Sequence, residues 1–478
     1  MAELAMSIAL RTDFGLLIDG KLEPSDEQLD VINPALGEVF ARCPAATRAH
    51  LERAVTAARA AFPAWRDKSF SERAALIKKM SQKLRENQQE LAELLTREQG
   101  KPLAQSIAEI DRGAAQSDGM VGIEIPVEVL ADDKDKHIEL RYRPLGVVGI
   151  ITPWNAPVSL ALGPLVSALY TGNTVILKPS PYTPLSTLKL GELLREIFPA
   201  GVVNVLAGGD ALGVWITEHP KVDKISFTGS VATGKKVLAS AAATLKRVTL
   251  ELGGNDPAIV MDDVDPKAVA QKIFFASFVN SGQVCMAIKR IYAHEKIYAA
   301  LCDALVAEAK KAKVGNGLDP ATELGPIQNK MQYDKVVGII EDTKKRGAKF
   351  LTGGDIPKGP GYFLPPTLVT DVPEDSRLVQ EEQFGPIVPI MKFSSLDDAL
   401  ERANDTRYGL SGSVWTSDVT RGAEIAAKLE VGTAWVNQHR ATSAFVPFGG
   451  AKESGLGRQY SALGLKSYME PEVVSVAK

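Results

Sequence analysis

The sequence predicts an α/β protein in which a doubly wound parallel sheet is followed by a second α/β domain. From Gly146 onwards, short apolar runs alternate with helical patterns. The predicted strands of this first series are GVVGIIT, NTVILKPS, VVNVLAG and KISFTG. Runs that are apolar on both faces and alternate with helices are typical of parallel sheets covered by helices. After Val248 a second series follows, with predicted strands KRIYAHE, KFLTGG, LPPTLVT, PIVPIMKF and GLSGSVWTSD.

The regions outside these two series are predicted from periodicity and turn residues. Residues 45–115 carry apolar side chains at helical spacing, and one helix is expected to end at Gly100, a residue type favoured at helix C-termini. The alternating segment from Glu124 to Arg143 predicts an extended hairpin. The chain ends in EVVSVAK, a strand pattern that needs a partner either in that hairpin or in another chain.

Composition and charge narrow the class of protein. The 478 residues are 45% hydrophobic and 24% charged, with a net charge of −3, which is ordinary for a soluble protein of several domains and indicates no nucleic-acid or membrane surface. Pro144 to Leu177 lacks charged residues, but the prolines of TPWNAP exclude a lipid-exposed helix. The start MAELAMSIALRTDF lacks the pattern of a signal peptide. Three cysteines without Cys-x-x-Cys spacing and five dispersed histidines predict neither a disulfide framework nor a metal site, so a reducing, cytoplasmic location is expected.

Candidate ligand-binding residues follow the predicted strands. Ligands of parallel sheets bind beyond the C-terminal ends of the strands. The residues found there are Pro153, Trp154 and Asn155, then Lys178 and Ser180, then Gly229 and Ser230, and finally Leu252, Gly253, Gly254 and Asn255. Lys178 is consistent with a surface lysine or with a cation that binds ribose hydroxyls or a phosphate. Because polar groups and glycines collect at one predicted sheet edge, a nucleotide site is expected there.

The segment FTGSVATGKK, residues 227–236, nearly matches the phosphate-binding loop of ATPases. Lys236 stands where that motif requires Ser or Thr, so a ligand of the magnesium ion is missing. A helix N-terminus after a strand also suits the two phosphates of a dinucleotide, which needs no such ligand. Three interpretations stay open at this point: a dinucleotide site, a P-loop ATPase and a plain strand–helix turn.

Cys285 and Glu251 are the candidates for covalent and acid–base chemistry. Cys285 follows NSGQV in a predicted turn before a strand, where a thiolate can attack a carbonyl. Cys43 and Cys302 are predicted to be small buried hydrophobic residues. Glu251 ends the run VTLE, where apolar neighbours would raise its pKa and suit it to general-base catalysis. A salt-bridged structural glutamate is the alternative interpretation.

Together these motifs resemble the NAD(P)-dependent aldehyde dehydrogenase superfamily over nearly the whole chain. The motifs that carry the resemblance are INPALGE from Ile32, Pro153-Trp-Asn, Lys178-Pro-Ser, Phe227-Thr-Gly-Ser, Glu251-Leu-Gly-Gly, Gly282-Gln-Val-Cys, Glu381-Glu-Gln-Phe-Gly-Pro, and Pro447-Phe-Gly-Gly followed by Ser454-Gly. The resemblance implies a Rossmann-like cofactor domain (residues 1–122 and 145–252), an α/β catalytic domain (253–448) and a β-hairpin oligomerisation element (123–144 and 464–478). In the family this hairpin pairs across subunits with a C-terminal strand, so a homodimer or homotetramer is expected.

The resemblance implies NAD(P)-dependent oxidation of a small-molecule aldehyde to the carboxylic acid. Cys285 is the implied nucleophile, and the Asn155 side chain with the backbone N–H of Cys285 forms the oxyanion hole. The thiohemiacetal passes a hydride to the nicotinamide and becomes a thioester, which water activated by Glu251 hydrolyses. Relatives that transfer the acyl group to coenzyme A lack this glutamate, so hydrolysis is expected. A non-catalytic relative that keeps only the fold is the competing interpretation, against which the intact Cys285, Glu251 and Asn155 argue.

The resemblance also implies cofactor residues and leaves the choice between NAD and NADP open. The implied cofactor residues are Ile151, Thr152, Pro153, Trp154, Lys178, Ser180, Pro181, Gly209, Thr228, Gly229, Ser230, Thr233, Leu252, Glu382 and Phe384. Ser230 matches a pyrophosphate ligand, and Glu382 and Phe384 match positions that hold the nicotinamide ribose and ring. NAD-preferring relatives often have a glutamate where this chain has Pro181, so use of both cofactors is expected.

The implied substrate residues are Ala156, Gly163, Val284, Met286, Arg440 and Phe448. Ala156 and Gly163 stand where many relatives have large aromatic residues, which implies a tunnel wide enough for a bulky or aromatic aldehyde. Arg440 lies in the loop before Phe448 and would pair with a carboxylate of a semialdehyde substrate, and a surface arginine is the alternative. The resemblance does not identify the aldehyde.

Overall fold

A computed structural model of the protein describes residues 13–478. The predicted absence of a signal peptide concerns the first residues of the chain, and residues 1–12 lie outside this described part. Two α/β layers of sheet and helix and one small three-stranded sheet make up most of the described chain.

The secondary structure comprises the following strands and helices. The strands are β1 (Leu16–Ile18), β2 (Lys21–Glu23), β3 (Gln28–Asn33), β4 (Glu38–Pro44), β5 (Glu128–Asp132), β6 (Lys136–Pro144), β7 (Val147–Ile151), β8 (Thr174–Lys178), β9 (Val203–Val205), β10 (Lys224–Thr228), β11 (Arg247–Glu251), β12 (Asp256–Val260), β13 (Ile288–His294), β14 (Lys349–Thr352), β15 (Thr367–Thr370), β16 (Ile387–Phe393), β17 (Tyr408–Gly409), β18 (Ser411–Trp415), β19 (Thr433–Val436), β20 (Ala451–Lys452), β21 (Gly455–Leu456) and β22 (Met469–Ala477). The helices are α1 (Arg48–Arg66), α2 (Phe70–Glu86), α3 (Gln88–Gln99), α4 (Leu103–Met120), α5 (Ser159–Tyr170), α6 (Leu185–Leu194), α7 (Asp210–Glu218), α8 (Val231–Ala242), α9 (Pro266–Phe278), α10 (Tyr298–Lys311), α11 (Lys330–Lys345), α12 (Arg377–Gln380), α13 (Leu396–Asn404), α14 (Val419–Ala426) and α15 (Ser461–Lys466), and a 3-10 turn covers Val279–Gly282.

The first sheet has eight strands in the order β2-β1-β9-β8-β7-β10-β11-β21. The strands from β9 to β11 are parallel, and β1 and β21 pair antiparallel with the two ends. Every residue of β7, β8 and β10 is buried, which is why these runs are apolar on both faces. The predicted doubly wound, Rossmann-like parallel sheet is confirmed.

The second sheet has seven strands in the order β14-β15-β16-β13-β12-β18-β19. All its pairs are parallel except that of β14 with β15. The five strands predicted for this region are β13 to β16 and β18. The prediction missed β12 and β19. In β12, Pro257 interrupts the apolar run. Proline has no N–H to donate to a neighbouring strand, so its presence argues against a strand in the sequence.

Helices α1 to α4 cover the region predicted to be helical. Helix α3 ends at Gly100, whose φ of 95° is left-handed, as predicted for a C-terminal glycine. An added Cβ at Gly100 would lie 2.7 Å from the ring of Pro326, so a second constraint, close packing, also requires glycine there. The hairpin of β3 and β4 precedes these helices and was not predicted.

The hairpin of β5 and β6 forms a three-stranded sheet with the C-terminal strand β22. β22 pairs antiparallel with β6 along its whole length, from Met469 opposite Pro144 to Ala477 opposite Lys136. The C-terminal strand therefore pairs with the hairpin of its own chain, one of the two partners that the sequence left open. The reason is local: the carbonyl of Tyr468 accepts the Leu145 N–H at 3.4 Å, and so β22 starts where β6 ends.

No helix within residues 13–478 combines the length and the apolar character needed to cross a bilayer. The uncharged segment that raised this question forms β7, α5 and β8, all packed in the interior of the first α/β layer.

Candidate active site

The four loops predicted to carry the site lie side by side at one edge of the first sheet. β8, β7, β10 and β11 are parallel neighbours, so their C-terminal residues all end at that edge. The register pairs Ile151 with Lys178 and Thr228 with Glu251. The N–H of Thr152 donates to the Lys178 carbonyl at 3.0 Å and continues the contact between two of the loops. The polar groups that follow the strands are thus close together in the fold.

The segment FTGSVATGKK forms the end of β10, a tight turn and the start of α8. Ser230 is the N-cap of α8, and its hydroxyl accepts the N–H of Thr233 at 3.2 Å. Gly229 lies in the turn, where an added Cβ would meet a phenyl ring. Gly234 lies inside α8, and the Leu252 side chain would be 2.5 Å from an added Cβ there. Gly234 therefore permits close packing of α8 against the residue after β11 and does not shape a phosphate loop.

This geometry decides between the interpretations of the segment. Lys236 is exposed on α8, and one of the two glycines serves helix packing. The free N–H groups at the start of α8 face the sheet edge where ligands of parallel sheets bind, and they suit a phosphate group. A dinucleotide pyrophosphate suits this arrangement, whereas the Ser or Thr that a magnesium-bound triphosphate requires is absent at position 236.

Lys178 is buried at the end of β8, with 3% of its surface exposed, and is not a surface lysine. Burial lowers the pKa of Lys178 to about 8, and the nearby Asp210 carboxylate opposes this effect. Asp210 is the first residue of α7, next to the N-cap Gly209. The sequence prediction missed Asp210, although it follows a predicted strand as the other loops do. Ser180 is buried and Pro181 half-buried in the loop after Lys178.

The backbone before Cys285 has an unusual conformation. Asn280, Ser281 and Gly282 have φ angles of 52°, 54° and 74°, in the left-handed region that non-glycine residues rarely adopt. Buried hydrogen bonds hold this turn: the Ser281 hydroxyl donates to a backbone carbonyl at 2.6 Å, and the Asn280 amide donates to another at 3.0 Å. Cys285 is left partly exposed in the following turn, whereas the other two cysteines are buried as predicted. Such conformations persist where the surroundings stabilise them, often at functional sites.

Hydrogen bonds fix both the side chain and the backbone of Asn155. Its side-chain amide donates to the carbonyl of Gln283 at 2.9 Å, two positions before Cys285. Its backbone carbonyl accepts the ammonium of Lys101 at 2.8 Å. Lys101 is paired with Glu109 at 2.5 Å, and both side chains are almost fully buried. A buried ion pair of α4 and the segment before it therefore positions Asn155, and the sequence prediction missed this pair.

Lys289 connects the loop of the nucleophile to a second carboxylate. Its buried ammonium donates to the carbonyls of Cys285 at 2.5 Å and Val284 at 2.9 Å. It also lies 3.6 Å from the carboxylate of Glu382, which accepts the N–H of Gly254 at 3.0 Å. The sequence prediction missed Lys289, for which the available signal was a pair of basic residues, Lys289 and Arg290, near the start of strand β13.

Aromatic residues adjoin this carboxylate. Phe384 has a φ of 51° and packs edge-on against Trp154, with ring centroids 5.3 Å apart. An added Cβ at Gly253 would run into the Glu382 carboxylate, so the glycine leaves room for it. Lys178, the α8 N-terminus and Glu382 thus offer a cation, a phosphate site and a hydroxyl acceptor, which are the groups that a nicotinamide dinucleotide needs.

The surroundings of Cys285 favour its neutral thiol over the thiolate. Burial raises the pKa of the Cys285 thiol to about 12, and the nearby carboxylates, Glu382 foremost, raise it further. Lys289 is the neighbouring cation that opposes this rise. The ionisation of the nucleophile therefore depends on the charges placed around it.

Glu251 is buried at the end of β11 without a polar partner. Neither carboxyl oxygen has a hydrogen-bond partner within the described part of the chain. Burial raises the pKa of Glu251 well above 4.5, and Arg458 lowers it by a smaller amount. An added Cβ at Gly449 would lie 2.9 Å from Oε1, so the segment after β19 closes over the carboxyl group. The salt-bridged alternative does not fit, because a buried carboxyl group without partners is costly and is typical of a functional site.

A cavity of about 490 Å³ lies beside the substrate loop. Its lining comprises Arg112, Ala115, Gln116 and Gly119 of α4, Phe275 of α9, and His439, Arg440, Ala441, Thr442, Ser443, Ala444 and Phe445 of the loop after β19. Nε2 of His439, which lines this cavity, lies 3.1 Å from the carbonyl of Met286, so the cavity adjoins the segment that carries the nucleophile. The sequence prediction included Arg440 and missed Arg112.

The remaining predicted substrate residues differ in their surroundings. Val284, Met286 and Ala156 are partly exposed around Cys285 and Asn155, and Phe448 is half-buried in the loop that pairs with Gln459. At Gly163, an added Cβ would lie 3.3 Å from the hydroxyl of Tyr460. The space that the sequence prediction left open at Gly163 is therefore occupied by Tyr460, a residue from almost 300 positions further along the chain.

Comparisons with known proteins agree with this geometry. A family model described as "Aldehyde dehydrogenase family" matches residues 22–474. The putative aldehyde dehydrogenase FUS7 of Gibberella fujikuroi is 41% identical over 454 residues, which cover 95% of this chain and 96% of that protein. The NAD+ complex of an aldehyde dehydrogenase from Bacillus cereus is 37% identical, with a TM-score of 0.95 and coverage of 97% and 96%. A point mutant of betaine aldehyde dehydrogenase from Staphylococcus aureus in complex with NAD+ is 34% identical, with a TM-score of 0.94 and 98% of each chain covered.

Proposed function

The chain belongs to the aldehyde dehydrogenase family, and we propose that it oxidises its aldehyde through a thiohemiacetal and a thioester on Cys285, which water then hydrolyses. Membership and the NAD+-bound neighbours support an NAD(P)-dependent oxidoreductase. The observation that carries the mechanism is the buried Glu251 carboxyl group, which has no polar partner within residues 13–478 and shares a site with a partly exposed cysteine.

The first step is attack of the Cys285 sulfur on the aldehyde carbon. The thiol gives its proton to surrounding water as the carbon–sulfur bond forms, and Lys289 favours the anionic sulfur. The carbonyl electrons move onto oxygen, where the Asn155 amide and the backbone N–H of Cys285 donate hydrogen bonds. Asn155 uses one amide hydrogen on the Gln283 carbonyl, and its second hydrogen remains for the oxyanion.

NAD or NADP would supply the acceptor for the hydride that leaves the thiohemiacetal carbon. Lys178 and Ser180 would hold the adenosine side, and the start of α8 with Ser230 would hold the pyrophosphate. Glu382 and Phe384 would hold the nicotinamide end. Pro181 carries no charge that would repel the 2′-phosphate of NADP. The Asp210 carboxylate lies near Lys178 on the adenosine side of the site. We therefore propose that both cofactors are accepted.

Hydrolysis of the thioester is the step assigned to Glu251. The carboxylate takes a proton from water as the water oxygen attacks the thioester carbon, and the Cys285 thiolate leaves with the bonding electrons. Glu251 must be ionised for this step, and burial raises its pKa. Hydrolysis is therefore expected to accelerate as the pH rises, until Glu251 is fully ionised.

The substrate proposal is an aldehyde with a bulky or aromatic body. The small side chain of Ala156, beside Asn155, and the cavity of about 490 Å³ support it. Tyr460 occupies the space beside Gly163, so the small residue at that position does not widen the tunnel.

The decisive experiment measures formation of reduced cofactor with NAD and NADP across aliphatic, aromatic and carboxylated aldehydes. Wild-type protein is expected to turn over, and Cys285→Ala is expected to lose activity completely. Cys302→Ala is the matched control, because Cys302 is a buried cysteine of α10 outside the site. Full activity of Cys285→Ala would disprove the covalent mechanism, and inactivity of wild-type protein with every aldehyde would favour a non-catalytic relative.

We further propose a homodimer or homotetramer, a cytoplasmic location and the division into cofactor, catalytic and oligomerisation parts given above. Exposed apolar residues of the three-stranded sheet support the assembly, since such patches mark protein interfaces. They are Val127, Val129 and Leu130 near the hairpin and Val473 and Val476 of β22. Light scattering coupled to size exclusion distinguishes monomer, dimer and tetramer, and a monomer at micromolar concentration would contradict the proposal.

A further inference from the structure

Two arginines give the cavity beside Cys285 a positive charge. Arg112 comes from α4 and Arg440 from the loop after β19. None of the described residues that line this cavity is an aspartate or a glutamate. Most of the other lining residues are apolar or small, Phe275 and Phe445 among them. The cavity therefore offers two cations and an apolar wall to whatever enters it.

Arg440 lines this cavity with no hydrogen-bond or ion-pair partner among residues 13–478. Its Nε atom is buried and has no hydrogen-bond partner within residues 13–478. Its guanidinium lies 5.8 Å from the centre of the Phe275 ring, and its φ of 65° is left-handed. Burial lowers the pKa of Arg440 to about 10, and the neighbouring Arg112 lowers it further. A buried donor without an acceptor and a nearby like charge are both unfavourable.

Both costs are removed by one kind of ligand. A carboxylate accepts two parallel N–H bonds from a guanidinium, and its negative charge offsets the repulsion between two arginines. Neither Arg112 nor Arg440 takes part in an ion pair with any of the residues described. The acceptor is therefore expected to come from outside the protein.

We propose that Arg112 and Arg440 bind a carboxylate at the far end of the substrate, so that the preferred substrates are aldehydes that carry an acid group. This inference rests on the proposed function, because it assigns the distal end of a molecule whose aldehyde reacts at Cys285. The apolar wall holds the body of the substrate, and the arginines select its tail and orient the aldehyde toward the sulfur.

The test compares matched pairs of aldehydes with wild-type protein. One pair is succinic semialdehyde and pentanal, and the other is 4-carboxybenzaldehyde and 4-methylbenzaldehyde. A hydrogen-bonded charge pair predicts a preference in kcat/KM of roughly 10- to 100-fold for the carboxylated member of at least one pair. Equal or lower kcat/KM for both carboxylated members would overturn the proposal while leaving aldehyde oxidation itself intact. A stronger preference for an aldehyde with a phosphate tail, such as glyceraldehyde 3-phosphate, would overturn the assignment to a carboxylate.

Variants connect this preference to the two arginines. Arg440→Gln and Arg112→Gln are expected to lower the ratio of carboxylated to neutral kcat/KM to near 1, and Arg440→Lys is expected to keep part of it. Arg421→Gln is the matched control, since Arg421 is exposed on α14 and remote from the cavity lining, and its ratio should equal that of wild-type protein. Unchanged ratios in both glutamine variants would refute the role of the arginines.

Inhibition by dicarboxylates tests the proposed carboxylate site even if one of the arginine variants is unstable. Glutarate and terephthalate carry carboxylates and no aldehyde, so they are expected to inhibit wild-type protein competitively against the aldehyde. Inhibition by either acid that is at least about 10-fold weaker in Arg112→Gln supports the proposal. Inhibition that is equal in both proteins, or absent in wild-type protein, contradicts it. Complete absence of turnover with every aldehyde would instead contradict the proposed function.

Discussion

Replacing Lys289 by methionine tests the link between the nucleophile and the Glu382 carboxylate. The substitution keeps a long apolar stem and removes the charge and the hydrogen bonds to the carbonyls of Cys285 and Val284. At 3.6 Å and an effective dielectric constant of about 20, the two charges attract each other by ~5 kcal/mol. Loss of Lys289 leaves the buried Glu382 without its ion-pair partner, which typically costs ~3–5 kcal/mol. We expect Lys289→Met to lower the free energy of unfolding by that amount at pH 8.

The loss of folding stability in Lys289→Met is expected to depend on pH. Burial already raises the pKa of Glu382 above its ordinary value of 4.5, and Lys289 is the strongest influence in the opposite direction. Without Lys289 the pKa of Glu382 rises further in the folded state. A raised pKa contributes stability that is present below the unfolded value and is lost as the pH rises through the folded value. The destabilisation by Lys289→Met is therefore expected to be smaller at pH 4.5 than at pH 8.

Denaturant unfolding of four proteins measures these effects. The set is wild type, Lys289→Met, Glu382→Gln and the double variant, and residues in contact should show a coupling energy of ~1 kcal/mol or more. Alkylation of Cys285 by iodoacetamide is expected to slow in Lys289→Met, because Lys289 lowers the pKa of this thiol. Additive unfolding energies, together with an unchanged rate of alkylation, would refute the reasoning.

The other predictions concern the remaining site residues. Glu251→Gln should release one equivalent of reduced cofactor per site and then stall with an acylated Cys285 visible by mass spectrometry, and steady turnover would contradict its role. Because burial raises the pKa of Glu251, the same variant should unfold at a higher temperature than wild-type protein above pH 4.5, with the gain growing as the pH rises, and a loss at pH 8 would count against this. Asn155→Ala should lower kcat by ~10²–10³ through loss of an oxyanion donor, and a change confined to KM would contradict that. Pro181→Glu should lower the kcat/KM ratio of NADP to NAD by ~10-fold or more through charge repulsion, and an unchanged ratio would place the 2′-phosphate elsewhere.

The sequence predicted the elements whose structure is determined by residues next to each other in the chain. The buried strands β7, β8 and β10 were predicted because sequence neighbours alone determine a fully apolar run. Strand β12 was missed because Pro257 interrupts its apolar pattern. Its position between β13 and β18 is determined by strand pairing in the folded protein. The helix end at Gly100 was predicted, since a left-handed residue at a helix C-terminus is a local requirement.

The site residues that the sequence did not reveal come from distant elements. Arg112 reaches the cavity from α4, and Lys101 and Glu109 act on Asn155 from about fifty positions away. Nothing in the local sequence of an amphipathic helix distinguishes such residues from solvated charges. Gly234 shows the converse case: its spacing imitates a phosphate loop, and the contact with Leu252 that explains it exists only after α8 has packed.

The order in which the chain leaves the ribosome has a consequence for Glu251. The strand that covers the edge of β11 is β21, and the Ser454 hydroxyl that bonds the Gly253 carbonyl lies 201 positions further along the chain. At a synthesis rate of ~5–20 residues per second, some 10–40 s separate the two segments. Until β21 has been made, the edge of β11 lacks its partner strand and Glu251 lacks the segment that closes over it in the folded protein. Burial of the Glu251 carboxyl group therefore depends on a segment about 200 positions further along the chain.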